Sequence, residues 1–434
     1  MGSFAQVGLL SVMKKVLFIH HGGVAGGAPL SLLYTALGVR DRGFIPAVAL
    51  LAPSKELHYL YNSHGIATHE VPYIPFFIVW SSYSPSSFSL NCIRDVLRAA
   101  FRWKKSQSRI YRFVKENKFD LVHLNSVGLS NVAQVLLKHN FPFVWHIREQ
   151  GPEQKGLRYQ FIHNSLAKSR NIIFLSGAEK KSWGFIEHGN VIHNFIDFTQ
   201  FNFKENDNRN HYRKEFGIEE NDFVILFLGG LKQHKGTELL IRASKLVMGK
   251  YPNIKLLMPD SLKQPLSSGN DSFIYKILVL IKRHLLRKID YSDHILSLID
   301  ELKMSNNCIR LGFDPDSVPF FACSDIVVFP AIQPHFARPI IEAYAMKKPV
   351  IASNFDVMNE LVQNSKTGYL FEPGNVVEFS NYIEMLVNSP ALRDTMAEQG
   401  FVKAKNEFGS DMQIKKIIKV YLSALGSEVH QVSP

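Results

Sequence analysis

The sequence predicts an α/β protein with two open parallel sheets. Short apolar runs alternate with longer amphipathic segments along the whole chain, a pattern typical of parallel strands joined by helices. The 434 residues are enough for two or three domains of about 150 residues each. A stretch rich in Asn and Asp, residues 197–213, separates two halves with the same pattern. We expect domains over residues 14–197 and 213–408, then a C-terminal helix and tail over residues 409–434 that could pack back on the first domain.

The strands of both halves are predicted from their apolar runs, and a segment with helical spacing, Leu30–Arg40, follows the first run. In the first half the runs are Val16–His20, Ala47–Leu51, Leu121–Leu124, Phe143–His146 and Ile172–Leu175. In the second half they are Phe223–Leu228, Lys255–Met258, Cys308–Leu311, Ile326–Phe329 and Pro349–Ala352. Open parallel sheets bind ligands beyond the carboxyl ends of their strands. Two such domains facing each other would hold a ligand in the cleft between them.

Composition and charge narrow the class of protein. The chain is 46% hydrophobic and has 32 Phe, which excludes a disordered chain. Its 50 Lys and Arg against 38 Asp and Glu leave a net charge of +12, so we expect an anionic partner. The three Cys lie far apart, which argues against a disulfide scaffold and a structural zinc site and points to a reducing compartment. No apolar run reaches the roughly 18 residues of a spanning helix, and we expect a cytoplasmic protein.

Three strand–loop–helix segments carry candidate ligand-binding residues. Residues 20–28, HHGGVAGGA, offer glycines that let backbone N–H groups approach a phosphate, although a tight turn explains them equally well. Residues 228–236, LGGLKQHKG, place Lys235 where it could meet phosphate oxygens, and a solvated lysine is the alternative. In residues 329–353 a helix is expected near Pro339, with Glu342 in its first turn. Glu342 could interact with the helix dipole or accept two ribose hydroxyls.

Together these motifs resemble the family-4 retaining glycosyltransferases. The resemblance covers nearly the whole chain and is strongest from Val224 to Asn375, in LFLGGLKQHKGTELL, IRLGF, SDIVVFPA, ARPIIEAYAMKKPVIAS, NELV and TGYLFEPGN. It implies the GT-B fold, in which two Rossmann-like domains face each other across a cleft. It also implies transfer of a sugar from a nucleotide diphosphate donor with retained anomeric configuration. No metal or other cofactor is expected beyond the nucleotide sugar itself.

The resemblance also assigns residues. Lys235 would contact the donor diphosphate, Glu342 the donor ribose, and His146 would be a catalytic histidine that follows a strand of the first domain. The remaining donor-binding residues that it implies are Gly26, Gly27, Gly230, Lys232, Gly312, Phe313, His335, Phe336, Ala337 and Arg338.

The sequence departs from the family pattern at two donor-site positions. Gly230 stands where the family usually has an arginine that grips the diphosphate, and Lys232 is a candidate to replace its charge. Pro334 stands where the family usually has a glutamate that contacts the donor sugar. Sugar recognition would then fall to the residues that follow Pro334, beginning with His335. The Asp314-Pro315-Asp316 segment has the form of a metal-binding motif of other glycosyltransferases, but its position after a strand predicts a turn.

Two basic amphipathic segments predict contact with an anionic membrane surface. Residues 91–115 contain eight Lys and Arg and one acid, and residues 273–288 contain five and none. Helical spacing places cations in stripes beside apolar residues. The cations concerned are Arg94, Arg98, Arg102, Arg109 and Arg112 in the first segment and Lys276, Arg283 and Arg287 in the second. Solvated surface helices are the alternative, and nucleic-acid binding ranks below both because no nucleic-acid motif accompanies the charges.

These observations predict a cytoplasmic retaining glycosyltransferase, peripheral on the inner face of the membrane. Its acceptor would be a lipid-linked precursor of a cell-surface polysaccharide. Two alternatives remain, a nucleotide-sugar epimerase of the same fold and a non-catalytic protein that binds sugar nucleotides.

Overall fold

The structure, a computed structural model, divides the chain into two compact units. It describes residues 13–21, 27–71, 109–152, 155–184, 186–204, 208–260, 291–312, 314 and 316–426. The first unit combines the chain up to Phe195 with the residues from Ser410 onward, and the second runs from Ile196 to Gly409. The described residues of the predicted boundary, 197–204 and 208–213, lie in the second unit. Their last residues are helical, and Arg209 and Arg213 hold Asp325 at 2.6 and 3.0 Å.

The first unit is built on a seven-stranded parallel sheet. Its strands are β1 Lys14–His20, β2 Phe44–Leu50, β3 Ala67–Glu70, β4 Leu121–Leu124, β5 Phe143–Ile147, β6 Ile172–Phe174 and β7 Gly189–Val191, in the order β3-β2-β1-β4-β5-β6-β7. The helices with defined bounds are α1 Gly27–Arg40, α2 Lys55–Asn62, α3 Ser130–Lys138, α4 Leu157–Lys168 and α5 Gly177–Ser182, and residues 109–116 are also helical. An apolar core lies on each face of this sheet.

The second unit is built on a six-stranded parallel sheet. Its strands are β8 Phe223–Leu226, β9 Ile254–Asp260, β10 Cys308–Gly312, β11 Ile326–Phe329, β12 Val350–Ser353 and β13 Gly368–Phe371, in the order β10-β9-β8-β11-β12-β13. The helices are α6 Arg209–Glu215, α7 Thr237–Met248, α8 Tyr291–Glu301, α9 Val318–Cys323, α10 Arg338–Ala345, α11 Asp356–Leu361, α12 Val376–Asn388 and α13 Pro390–Glu407. The predicted class, two α/β units on parallel sheets, is confirmed.

The last helix, α14 Ser410–Ala424, belongs to the first unit. It buries Ile414, Ile417 and Tyr421 in the core beneath α1, one face of a helix with spacings of three and four residues. Gly38 of α1 makes this contact possible, because a Cβ there would lie 2.5 Å from the Ile414 side chain.

The order of the strands reverses at one point in each sheet. In the first unit β1 lies between β2 and β4, and in the second β8 lies between β9 and β11. Open parallel sheets bind ligands beside such a point, which places the candidate sites at the carboxyl ends of β1 and β4 and of β8 and β11. Among the described residues, no helix is long and apolar enough to cross a membrane.

Candidate functional site

The loops that follow β8 and β11 lie against each other. The β8 loop leads through a 3₁₀ turn, Gln233–Lys235, to Gly236 and the start of α7. Gly236 has a φ of +76°, and a Cβ there would lie 1.6 Å from the Pro330 carbonyl oxygen. The Ile332 N–H also donates to the His234 carbonyl at 3.1 Å. Glycine at position 236 is thus required for the two loops to meet.

Lys235 and His335 form the centre of this junction. The Lys235 Nζ lies 2.5 Å from His335 Nε2 and 5.3 Å from the centre of the Phe329 ring. His335 Nδ1 lies 2.9 Å from the Gln333 carbonyl oxygen, so this nitrogen carries the proton and Nε2 accepts from the lysine. Among the described residues, the Lys235 ammonium forms no ion pair, and no carboxylate affects its pKa. The described part of the site therefore contains a cation without a counter-ion.

Burial governs the ionisation of both groups. Burial, and then the charge of the nearby Lys232, lowers the pKa of Lys235 from 10.5 to about 8. Burial, and then the Lys235 charge, lowers the pKa of His335 to about 3. At neutral pH the lysine is charged and the histidine is neutral. Both side chains remain partly exposed, so a ligand oxygen can reach the ammonium.

The other predicted donor-site residues differ in exposure and in local contacts. Gly230, with a φ of +65° and open space where a Cβ would be, accepts a hydrogen bond from Thr237 Oγ1 at 2.9 Å. Lys232 is exposed and close enough to affect the pKa of Lys235. Gly312 is exposed at the end of β10, whereas Phe336 and Ala337 are buried. Gly26 and Phe313 lie outside the described residues, and Gly27 is the exposed first residue of α1.

Glu342 has a local partner that sequence analysis missed. The helix α10 begins at Arg338, which places Glu342 in its second turn and not in the first as expected. Arg338 Nε donates to Glu342 Oε1 at 2.6 Å, and each side chain is 10% exposed. A largely buried ion pair of this kind is costly to break. Glu342 therefore has a structural role beside any contact with a ribose.

The Asp314 and Asp316 carboxylates are engaged by the backbone. Asp314 Oδ1 accepts the N–H of Asp316 at 2.9 Å, and Asp316 Oδ1 accepts the N–H of Val318 at 3.1 Å. Such contacts with residue i+2 are typical of Asx turns.

In the first unit, three polar side chains form a row at the carboxyl ends of adjacent strands. Ile19, Leu124 and Trp145 are aligned in register across β1, β4 and β5. His20, Asn125 and His146 each follow one residue later and are 2–3% exposed. Both ring nitrogens of His20, Asn125 Nδ2 and His146 Nε2 have no hydrogen-bond partner among the described residues. Because buried polar atoms are normally satisfied, this row is suited to a bound polar molecule.

His146 lies inside β5, one residue before its end, and not in the loop after it. Its Nδ1 lies 3.3 Å from His123 Nε2, and His123 Nδ1 lies 2.7 Å from the Tyr421 hydroxyl. Burial, and then the charge of Arg148, lowers the pKa of His123 to about 3 and that of His146 well below 6.5. Sequence analysis missed His123 and Tyr421. A histidine within the apolar run of β4 was an available signal, but nothing in the sequence indicated Tyr421.

The two basic segments fall largely outside the described residues. Of the predicted membrane-contacting cations only Arg109 and Arg112 are described, both exposed on helical residues 109–116. The others, Arg94, Arg98, Arg102, Lys276, Arg283 and Arg287, lie outside the described residues.

Comparison with known proteins finds a family model that matches most of the second unit. Residues 208–403 match the family model described as glycosyl transferases group 1. The chain is 26% identical over 267 residues to the capsular polysaccharide biosynthesis glycosyltransferase CapM of Staphylococcus aureus, covering 62% of this chain and 59% of CapM. It is 22% identical over 337 residues to the UDP-Gal:alpha-D-GlcNAc-diphosphoundecaprenol alpha-1,3-galactosyltransferase of Escherichia coli, covering 73% and 79%. The match thus spans little more than half the length of CapM.

Solved glycosyltransferase structures share the fold. The crystal structure of Anabaena HepE in complex with UDP matches 95% of this chain and 100% of that chain, with a TM-score of 0.72 and 22% identity. The Staphylococcus aureus protein TarM matches 94% and 100%, with a TM-score of 0.66 and 13% identity. The GT-B fold and the resemblance to glycosyltransferases are therefore confirmed.

Proposed function

We propose that this chain is a retaining glycosyltransferase, because residues 208–403 match the model of the glycosyl transferases group 1 family. It would move a sugar from a nucleoside diphosphate donor to a glycan acceptor. Lys235 is the observation that carries this proposal, because its ammonium is partly buried and has no carboxylate partner among the described residues. The diphosphate of a nucleotide sugar would supply the missing negative charge.

The surroundings of Lys235 support a diphosphate ligand. Gly236 brings the start of α7 close to the lysine, and backbone N–H groups at a helix start favour an anion. His335 accepts from the ammonium through Nε2 and so holds it in place without neutralising it. These groups can stabilise the charge that develops on the leaving diphosphate. In a retaining transfer the donor phosphate itself can take the acceptor proton, and no further base is needed.

Nucleotide binding tests this assignment. We expect Lys235→Ala to weaken binding of UDP or GDP, whichever the wild type binds, by about 1.5–3 kcal/mol, measured by titration calorimetry. Lys245→Ala is the matched control, since Lys245 is exposed on α7 and its loss removes the same charge. Equal affinity of Lys235→Ala and Lys245→Ala would place the donor site elsewhere.

Glu342 is proposed as the ribose contact. Glu342→Gln keeps an acceptor for Arg338 but removes the charge, so part of its effect will be a loss of stability. Arg338→Gln breaks the same ion pair and leaves the carboxylate in place. A ribose contact predicts that Glu342→Gln weakens nucleotide binding more than Arg338→Gln does at equal loss of stability. The reverse order would leave Glu342 with a structural role alone.

For the acceptor we propose a lipid-linked precursor of a cell-surface polysaccharide, used at the inner face of the membrane. The kinds of relatives support this, since one acts on a diphosphoundecaprenol-linked sugar by its name and another in capsule synthesis. The two basic segments would bring the enzyme to anionic lipid, at about 1 kcal/mol per cation near the surface. No contact with nucleic acid is proposed.

Liposome binding tests the membrane part of this proposal. Replacing Arg98, Arg102, Arg109 and Arg112 by Ser should reduce co-sedimentation with anionic liposomes strongly at low salt and less at high salt. Serine at Lys245, Lys250, Lys416 and Lys419, all exposed, removes the same charge and should have little effect. Equal binding of the wild type to neutral and anionic liposomes would contradict the proposal.

A non-catalytic sugar-nucleotide-binding protein is the second candidate. Two observations favour it, the absence of an arginine at Gly230 and of a glutamate at Pro334. Incubation with the bound nucleotide sugar and a lipid-linked glycan decides between them. Transfer of the sugar supports the enzyme, binding without turnover supports the second candidate, and a changed sugar in the absence of acceptor indicates an epimerase.

A further inference from the structure

Three side chains of the first unit form a hydrogen-bonded chain that ends at His146. The Tyr421 hydroxyl on α14 contacts His123 Nδ1 at 2.7 Å, and His123 Nε2 contacts His146 Nδ1 at 3.3 Å. All three side chains are buried. Burial lowers the pKa of both histidines below 6.5 and raises that of Tyr421 well above 10, so each group is neutral at pH 7. A chain of neutral groups can be polarised in either direction, and the direction decides where His146 carries its proton.

Tyr421 sets that direction. Its hydroxyl has one proton, and His123 Nδ1 is the one hydrogen-bond partner that the described residues give it. If His123 donated instead, the phenol proton would have no acceptor in an apolar core, which is unfavourable. Tyr421 therefore donates to His123 Nδ1, and the neutral His123 must carry its proton on Nε2.

The proton of His146 is fixed in the same way, because a neutral imidazole has one donor nitrogen and one acceptor nitrogen. His123 Nε2–H donates to His146 Nδ1, and the neutral His146 must carry its proton on Nε2. That atom is buried and has no partner among the described residues.

We propose that Tyr421 and His123 are positioning residues that hold His146 as the Nε2–H tautomer. His146 then offers a hydrogen-bond donor to a ligand oxygen and cannot take a proton from an acceptor hydroxyl. Only the identification of that oxygen as part of a sugar substrate rests on the proposed function. The arrangement makes His146 a group that orients a sugar oxygen and not a general base.

The tautomer can be measured on the full chain without ligand. Two-bond ¹H–¹⁵N spectra of the ¹⁵N-labelled protein at pH 7.5 distinguish protonated from unprotonated ring nitrogens, and the spectrum of His146→Gln identifies the His146 signals. We expect a protonated Nε2 and an unprotonated Nδ1 on His146 and on His123. A protonated Nδ1 on His146 in the wild type would overturn the proposal without any further variant.

Tyr421→Phe tests whether the Tyr421 hydroxyl sets the tautomer of His146. It removes the hydroxyl and keeps the ring, so both directions of the remaining His123–His146 bond become comparable. We expect averaged, mixed-tautomer shifts for His146. Tyr61→Phe is the matched control, because Tyr61 is buried in the same core and donates to the Pro29 carbonyl at 3.2 Å instead of to a histidine. It should lose comparable stability and keep the wild-type histidine signals.

An unchanged His146 tautomer in a folded Tyr421→Phe variant would contradict the role of Tyr421. Because these spectra need no substrate, the proposal and the proposed function fail separately. The expected tautomer without sugar transfer would reject the enzyme alone. Transfer with a protonated Nδ1 on His146 would reject the positioning role alone.

Discussion

The two units place polar groups at the same edge of the same kind of sheet, yet these groups differ in charge and exposure. In the second unit the central group is a cation, Lys235, which is partly exposed and held by a neutral histidine. In the first unit the central groups are His20, Asn125 and His146, which are fully buried and neutral. A cation is suited to phosphate oxygens, whereas a row of neutral donors and acceptors is suited to hydroxyl groups. The difference favours an anionic ligand at the sheet edge of the second unit and a neutral polar ligand at that of the first unit.

The first test of this comparison concerns the contact between the β8 and β11 loops of the second unit, and it has the largest expected effect. Gly236→Ala should lower the free energy of unfolding by about 3 kcal/mol, since its Cβ would overlap the Pro330 carbonyl at a positive φ. Gly230→Ala, at a positive φ with open space, should cost about 1 kcal/mol. Denaturant unfolding measures both. Similar losses would mean that the contact between the loops does not hold the site.

The second test concerns the neutral histidines of the first unit. Burial, and then His21, lowers the pKa of His20 to about 3, below its usual 6.5, so the unfolded state binds the proton more tightly. This histidine therefore has no effect on stability above pH 6.5 and destabilises the fold as the pH falls below it. Between pH 7 and pH 5 the loss is about 2 kcal/mol.

His20→Leu should remove that loss. The difference in free energy of unfolding between the variant and the wild type should move by about 2 kcal/mol in favour of the variant between pH 7 and pH 5. His211→Gln, an exposed histidine of α6, should keep the wild-type pH dependence. A constant difference between His20→Leu and wild type would show that His20 is accessible to protons in the folded state.

The third test concerns the cation of the second unit. With a pKa of about 8, Lys235 is charged at pH 7 and loses its proton as the pH rises through 8. The affinity for a nucleoside diphosphate sugar should fall about tenfold from pH 7 to pH 9, or about 1.4 kcal/mol. The ratio of wild-type to Lys235→Ala Kd values isolates this effect from titration of the base. If this ratio of Kd values does not change with pH, Lys235 does not contact the phosphates.

The fourth test concerns metal ions, and we expect their removal to have no effect on transfer. If Lys235 and the start of α7 meet the charge of the diphosphate, no metal ion is needed, and EDTA should leave transfer unchanged. Asp316→Ala should retain activity for the same reason. If EDTA abolished activity and added manganese or magnesium restored it, the Asp314 and Asp316 carboxylates would be reassigned to metal binding.

The sequence predicted the sheets better than it predicted the site. All ten apolar runs correspond to strands, whereas β3, β7 and β13, which all lie at sheet edges, were not among them. The sequence of β3 carries no apolar run, in keeping with its four residues being exposed or only partly buried. Lys235 could be proposed from the sequence because the residues of a loop motif lie within one short segment. His20, Asn125 and His146 come from three strands, and only the register of the sheet brings them into one row.

Two side-chain contacts of the folded protein could not be predicted from the sequence pattern. The Arg338–Glu342 ion pair follows from a helix boundary one residue earlier than expected, which is the usual uncertainty of such boundaries. The Tyr421–His123 contact joins residues 298 positions apart. No local sequence pattern predicts a contact between residues so far apart in the chain.

The position of α14 in the chain has a consequence for the order in which the protein is made. Residues 196–409 are contiguous, so the second unit can complete its core while translation continues. The core of the first unit cannot close at that stage, because Ile414, Ile417 and Tyr421 are synthesised after the whole second unit. Until they are made, the apolar side of α1 and the buried His123 lack their partners, so the first unit needs residues from both sides of the second to complete its packing.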